Sequence, residues 1–283
     1  MSFELKVWGC RGSIPTPGEA TVRYGGNTPC VEVRTNDGGR LILDAGTGLR
    51  RLGTKLEPDS TPLHLLVTHL HLDHVEGLRF FAPFWHAARE LHIWGPPSPM
   101  RSLENRITRA FSPPLFPIEL ADTPAHVIFH DVPADPWEIE GIRIEAGTVS
   151  HPGPTLGYRL STNGTSMAYI PDHEPVLGVE LSALGSDWIS GYGLAEGVDL
   201  LFHDCQFNES EYPSRVGWGH SSVAHAVEFA RRAEVNQLVL FHHDPDRSDD
   251  GVEILVERAG ELWGDCSEHA PVAASEGMTL ELS

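Results

Sequence analysis

The chain has 283 residues, 40% hydrophobic and 21% charged, as expected of a globular protein with a substantial core. Its net charge is −20, its pI is near 5.1, and only Lys6 and Lys55 are lysines. Such a surface argues against extended nucleic-acid binding and against anionic membranes, but bound cations can still admit a small phosphate ester.

The start, MSFELKVWGCRGS, has no basic segment followed by an apolar run, and no stretch of 18 apolar residues occurs, so a cytoplasmic, non-membrane protein is expected. Cys10, Cys30, Cys205 and Cys266 show no CxxC spacing and read as reduced, mostly buried thiols. Histidine is the outlier, with 16 residues, many in tight groups.

In chain order, LKVWG (5–9), CVEVRT (30–35), RLILDAG (40–46) and LHLLVTH (63–69) read as strands. VEGLRFFAPFW (75–85) has helical spacing until Pro83, and LHIWGPP (91–97) is a further strand. Residues 98–125 are proline-rich, with a short helix expected near 101–110. IRIEAGTVSH (142–151) is a strand, and LGYRLSTNGTSMAYIPD (156–172) is a hairpin turning at Asn163-Gly164. VDLLFHD (198–204) and QLVLFHH (237–243) read as buried strands, with helices over 222–233 and 249–263. The two halves, about 1–150 and 151–283, look alike and together predict one α/β domain with its chemistry at strand ends.

The most informative stretch is THLHLDHVEG (68–77). In an extended segment His69 and His71 face the same way, and Asp73 and His74 project from the turn that follows. Four ligand-type side chains so close suit a site for two metal ions about 3.5–4 Å apart. Further ligands are expected at other strand ends: His151, Asp172, and His242 or His243, of which only one can reach, because successive strand residues point oppositely. His69, His71 and His151 then hold one ion, Asp73, His74 and His242 the other, with Asp172 bridging.

With LDAGTGL (43–49), THLHLDH, His151, IPDHE (170–174) and FHHDP (241–245) in this order, the sequence resembles the metallo-β-lactamase superfamily over most of its length. The resemblance implies a four-layer αββα sandwich of two similar halves. It also implies two divalent metals, usually zinc, with manganese or iron as alternatives, and possible pairing as a homodimer. It carries the last ligand onto His242. Asp44 matches a residue that orders the metal loops. A histidine at His71 resembles the hydrolases, whereas the diiron redox branch has glutamate there.

The resemblance implies a hydroxide bridging the metals, held by Asp73 and Asp172, as nucleophile. Such a hydroxide attacks a carbonyl, as in acyl, lactone or thioester hydrolases, or phosphorus. Phosphodiester cleavage also asks for an acid, and HDCQ (203–206) and GWGHSS (217–222) offer Asp204 and His220. They resemble the carboxylate and histidine of ribonuclease Z, with aspartate in place of glutamate. GCRGSIPTPGEATVRYGGNTPCVEV (9–33) resembles that branch's opening loop and offers Arg11, Ser13, Arg23 and Asn27 as substrate-binding residues. No basic, glycine-rich arm for tRNA is visible. The expectation is a metal-dependent phosphodiesterase acting on a small molecule, such as a 3′,5′-cyclic nucleotide. An acyl hydrolase and a ribonuclease Z-like RNA endonuclease are the alternatives. Ser221 or Ser222 is expected to cap the helix after His220, His203 and His173 are weaker site candidates, and the isolated histidines, His64, His92 and His130 among them, read as ordinary.

Overall fold

The computed structural model describes residues 2–264 and 266–283. Its strands are β1 (Phe3–Gly9), β2 (Cys30–Thr35), β3 (Arg40–Leu43), β4 (Leu63–Leu66), β5 (Glu90–Gly95), β6 (His126–Asp131), β7 (Trp137–Ile139), β8 (Ile142–Thr148), β9 (Leu156–Thr162), β10 (Thr165–Ile170), β11 (Leu200–Asp204), β12 (Gln237–Phe241), β13 (Val272–Ala273) and β14 (Thr279–Leu282). They form two seven-stranded sheets, ordered β14-β1-β2-β3-β4-β5-β6 and β13-β12-β11-β10-β9-β8-β7. Each sheet begins antiparallel and turns parallel, from β3 onward in the first and from β10 onward in the second. The chain passes from one sheet to the other between Asp131 and Trp137, earlier than the expected division near 150, and β14 returns beside β1.

Parallel neighbours need crossovers, and the helices supply most of them. They are α1 (Gly48–Gly53), α2 (Leu103–Ile107), α3 (Tyr192–Ala195), α4 (Val223–Arg232) and α5 (Asp249–Trp263). In α4 the buried Val223, Ala226, Val227 and Ala230 follow the spacing of one helical face, laid on the second sheet with Leu255 and Trp263 of α5. On the first sheet, Leu49 and Leu52 of α1 and Leu103 and Ile107 of α2 cover Ile42 and Leu65. A third core lies between the sheets, where Leu5, Val33 and Leu43 meet Ile144, Tyr158 and Phe202. The layers are therefore helix, sheet, sheet, helix.

The expected hairpin is present: Asn163 and Gly164 take φ of 44° and 89°, and Thr162 pairs with Thr165. Residues 75–85 differ from the helical reading, forming two 3₁₀ turns, Glu76–Phe80 and Ala82–Trp85, because Pro83 removes a donor and Gly77 packs against the backbone of Gly46. β6, β7, β13 and β14 were not expected; β6 is half-exposed throughout and lacks apolar alternation. Cys10, Cys30 and Cys205 are buried free thiols and Cys266 is exposed. Among the described residues no helix is long and apolar enough to cross a membrane.

Candidate metal centre

The site lies where strands end. Asp44, just past β3 with φ of 58°, is fully buried and collects four groups. Its carboxylate accepts from the Thr68 amide (2.8 Å) and hydroxyl (3.0 Å), the Tyr169 hydroxyl (3.0 Å) and His74 Nδ1 (2.8 Å). Asp44 therefore fixes both ends of the THLHLDH turn. With Nδ1 donating to Asp44, His74 turns Nε2 toward Asp172 Oδ1 (3.0 Å) and Asp73 Oδ2 (3.3 Å).

Asp172, one residue past Ile170 and Pro171, sits between two groups of donors. His69, His71 and His151 bring ligand atoms within 4.8 Å of one another, as do Asp73, His74, Asp172 and His242. Asp172 Oδ2 lies 3.7 Å from both His69 Nε2 and His151 Nε2 and 3.3 Å from His242 Nε2. His69 Nε2, His74 Nε2 and Asp172 Oδ1 are buried and make no hydrogen bond, although they face one another. Imidazole lone pairs aimed at carboxylate oxygens repel unless a cation stands between them, so the donor set fits divalent metal ions. Charge is divided: burial lowers the His74 and His242 imidazoles, but Asp172 and its neighbours outweigh it, raising His74 and taking His242 up to about 8, so these two would give up a proton to bind an ion. Burial pulls the Asp172 and Asp73 carboxyls up, but the surrounding histidines outweigh it and hold both low. Burial pushes the imidazoles of His69 and His151 down, toward the neutral, ligating form.

His242 and His243 separate just past the end of β12, through a left-handed turn rather than strand alternation. His242 takes φ of 57° and turns Nε2 to Asp73 Oδ2 (3.2 Å), whereas His243 Nε2 lies 2.8 Å from the Ala274 carbonyl, away from the cluster, and burial pushes its pKa down to about 3. Gly12 makes room for this arrangement: a Cβ there would stand 2.5 Å from His242 Nδ1. Ser13 follows, exposed, and its amide donates to Asp73 Oδ2 at 2.8 Å.

The other expected substrate contacts are corrected. Arg11 is fully buried and gives its guanidinium to the carbonyls of Gly25, Asp244 and Arg247, clamping the N-terminal loop to the segment after β12. Arg23 is spent on Asp249, Asp250 and Glu253. Asn27 donates to Glu276 (3.0 Å). In an acidic chain, arginine finds internal partners before substrate.

Asp204 closes β11 and reaches His220 despite its short side chain, with Oδ2 2.6 Å from His220 Nδ1. The amides of His173 (3.2 Å), Gln206 (3.0 Å) and Ser221 (3.0 Å) also donate to this fully buried carboxylate. The His220 ring stacks on His242 at 5.0 Å and 16°, and ligand atoms of His151, Asp172 and His220 lie within 4.8 Å of one another. Ser222 caps α4 by accepting from the His225 amide (3.2 Å), while the Ser221 hydroxyl donates to the His173 carbonyl (2.6 Å). His203 and His173 are both fully buried, 2.9 Å apart, as a packing pair.

One positioning residue escaped the sequence reading. Glu174 is fully buried and accepts from the Gly217 (3.0 Å) and Gly219 (2.9 Å) amides and the Tyr212 hydroxyl (2.7 Å). The Gly219 carbonyl in turn receives His151 Nδ1 at 2.8 Å, and a Cβ on Gly219 would stand 2.4 Å from that nitrogen. Glu174 thus sets His151 and His220 through one loop. Its adjacency to Asp172 and His173 in IPDHE was the available signal.

A beta-lactamase superfamily domain model matches residues 39–243. Ribonuclease Z of Thermococcus sibiricus is 32% identical, covering 86% of this chain and 87% of the relative. The crystal structure of the short form of human tRNase Z superposes with a TM-score of 0.67 at 19% identity, covering 99% of each chain. A diphosphatase of the PhnP family superposes with a TM-score of 0.67 at 18% identity, covering 100% of this chain and 98% of that one.

Proposed function

The chain belongs to the beta-lactamase superfamily and is a metal-dependent hydrolase; from that premise we propose that it hydrolyses a small phosphodiester, with a 3′,5′-cyclic nucleotide as a fitting substrate. The observation that carries this reading is the His220–Asp204 pair, 2.6 Å apart and stacked against His242. His69, His71 and His151 would hold one divalent cation and Asp73, His74 and His242 the other, with Asp172 shared between them; the nitrogen and oxygen donors suit zinc. Such a pair supplies Lewis acidity and a water deprotonated near neutral pH.

The remaining chemistry falls to side chains. Asp204 accepts from His220 Nδ1, which orients the ring and leaves Nε2 toward the site. His220 then gives a proton from Nε2 to the departing alkoxide. Asp73 is oriented by the Ser13 amide, which fixes the carboxylate at the floor of the site. An acyl hydrolase would need the metal ligands but would leave this pair without a task.

His220→Ala tests the proposal on zinc-loaded protein with a 3′,5′-cyclic nucleotide, whose alkoxide leaving group needs the proton, whereas the phenolate of bis(p-nitrophenyl) phosphate departs without one. The expected loss in kcat is about 10²–10⁴-fold, with both metals retained. An unchanged rate, or faster opening of lactones and thioesters than of phosphodiesters by the native protein, refutes it. The name ribonuclease Z carried by the 32%-identical relative favours an RNA endonuclease as the second reading. The net charge of −20 weighs against a polyanionic substrate, and preferential cleavage of structured RNA over dinucleotides would decide for it.

A further inference from the structure

Trp218 is a large aromatic side chain held in water by a backbone that cannot withdraw it. It is 59% exposed, yet Gly217 and Gly219 on either side both take φ of 86°, and their amides are anchored on the buried Glu174 carboxylate. The Trp218 amide itself donates to the Arg215 carbonyl at 3.0 Å. Folding gains little from an exposed indole on a pinned turn, which directs attention to a ligand. In sequence Trp218 stands two residues before His220, and the Gly219 carbonyl that follows it receives His151 Nδ1 at 2.8 Å.

A second observation concerns Arg215. Its guanidinium carbon lies 4.8 Å from the Phe207 ring and 5.9 Å from the Trp218 ring, and the Phe207 ring is 5.9 Å from that of His220. In a chain with 40 acidic and 20 basic residues, Arg215 has no carboxylate at ion-pair distance among the described residues; its hydrogen bond is to the Glu211 carbonyl, at 3.4 Å. A cation with no carboxylate at ion-pair distance, beside an open aromatic ring and separated from His220 by the Phe207 ring, matches a flat heteroaromatic group carried by a phosphate.

We propose that Trp218, backed by Arg215, is the stacking platform for the nucleobase of the substrate, which makes the substrate class nucleotides rather than simple alkyl phosphodiesters. The inference rests on the phosphodiesterase reading. It is tested by titrating zinc-loaded protein with AMP and with ribose 5-phosphate, which share the phosphate and sugar and differ in the base. The native protein is expected to bind AMP about tenfold more tightly or better, the value of one base–aromatic stack. Trp218→Ala should bring AMP down to the affinity of ribose 5-phosphate and leave the latter unchanged. Trp218→Phe, which keeps a smaller ring, should preserve most of the difference. If both ligands bind and Trp218→Ala leaves their ratio unaltered, the platform is refuted and the phosphodiesterase reading stands. If neither binds, the platform is refuted, while the phosphodiesterase reading is decided by the hydrolysis test of His220→Ala.

Discussion

At the metal centre five histidines aim ring nitrogens at a shared space around Asp172 and Asp73. At the β4–β6 end of the first sheet three others pile ring on ring. His64 stacks on His92 at 4.5 Å, His92 on His130 at 5.1 Å, and Trp94 covers His130 at 4.0 Å. There the nitrogens satisfy each other: His92 Nδ1 lies 2.8 Å from His130 Nε2, His92 Nε2 lies 2.8 Å from Glu90, and Trp94 donates to His64 Nδ1 at 3.4 Å. Among the described residues no three ligand atoms converge in that stack. The difference teaches that histidine density does not make a metal site. Convergence about a buried carboxylate with unspent lone pairs does.

The strongest way to break the comparison is to remove the convergence point. Asp172→Ala deletes the one carboxylate that, among the described residues, faces both donor groups, and should drop metal content below two ions per chain and hydrolysis to background. His92→Ala removes the centre of the stack and should leave metal content and kcat at native values. Metal analysis by atomic absorption on both proteins reads the contrast. Full metal occupancy in Asp172→Ala would overturn the assignment.

A subtler change sharpens the same contrast by disturbing only the support. Glu174→Gln keeps the shape but leaves one neutral oxygen to accept from the Gly217 and Gly219 amides in place of a carboxylate, so the anchor of the loop is weakened. Losing support of this kind costs about 10–100-fold in affinity or activity. The expected result is a fall of that size in kcat, with the melting temperature nearly unchanged. A native kcat would show that His151 and His220 are positioned without Glu174.

Much of this site was legible because its ligands sit at strand ends, where apolar runs stop and the residue types stand out. HxHxDH follows β4, Asp172 follows β10, and His242 follows β12. Strand alternation left one of His242 and His243 to reach the site, and the family resemblance chose His242. The Asp204–His220 pair was offered by the resemblance to ribonuclease Z, although the three amides that hold Asp204 were not legible. What stayed hidden depends on register and burial. The His64–His92–His130 stack exists because β4, β5 and β6 pair in parallel with His64 opposite His92 and Trp94 opposite His130, which no local pattern announces. Arg11 looked like a phosphate contact because its neighbours are glycines, yet its three carbonyl partners lie as far away as Arg247.

The smallest expected effect lies in the stack and depends on pH. Burial, aided by His92 and His130, pushes the His64 imidazole down to about 4, and burial also lowers His130. A histidine with a depressed folded pKa is neutral in the native state, while its unfolded form takes up a proton below about 6.5. Its contribution is therefore complete above that pH and is lost as pH falls from about 6.5 to about 4. His64→Phe keeps a ring for stacking on His92 but cannot titrate. Melting curves of metal-loaded protein should show a shallower loss of stability across that interval for the variant than for the native chain, at an equal hydrolysis rate at neutral pH. Because the variant leaves the metal ligands untouched, the difference between the two curves belongs to the stack alone. Parallel curves would mean that the ring opens to water before it charges, and that the stack contributes packing without acid sensitivity.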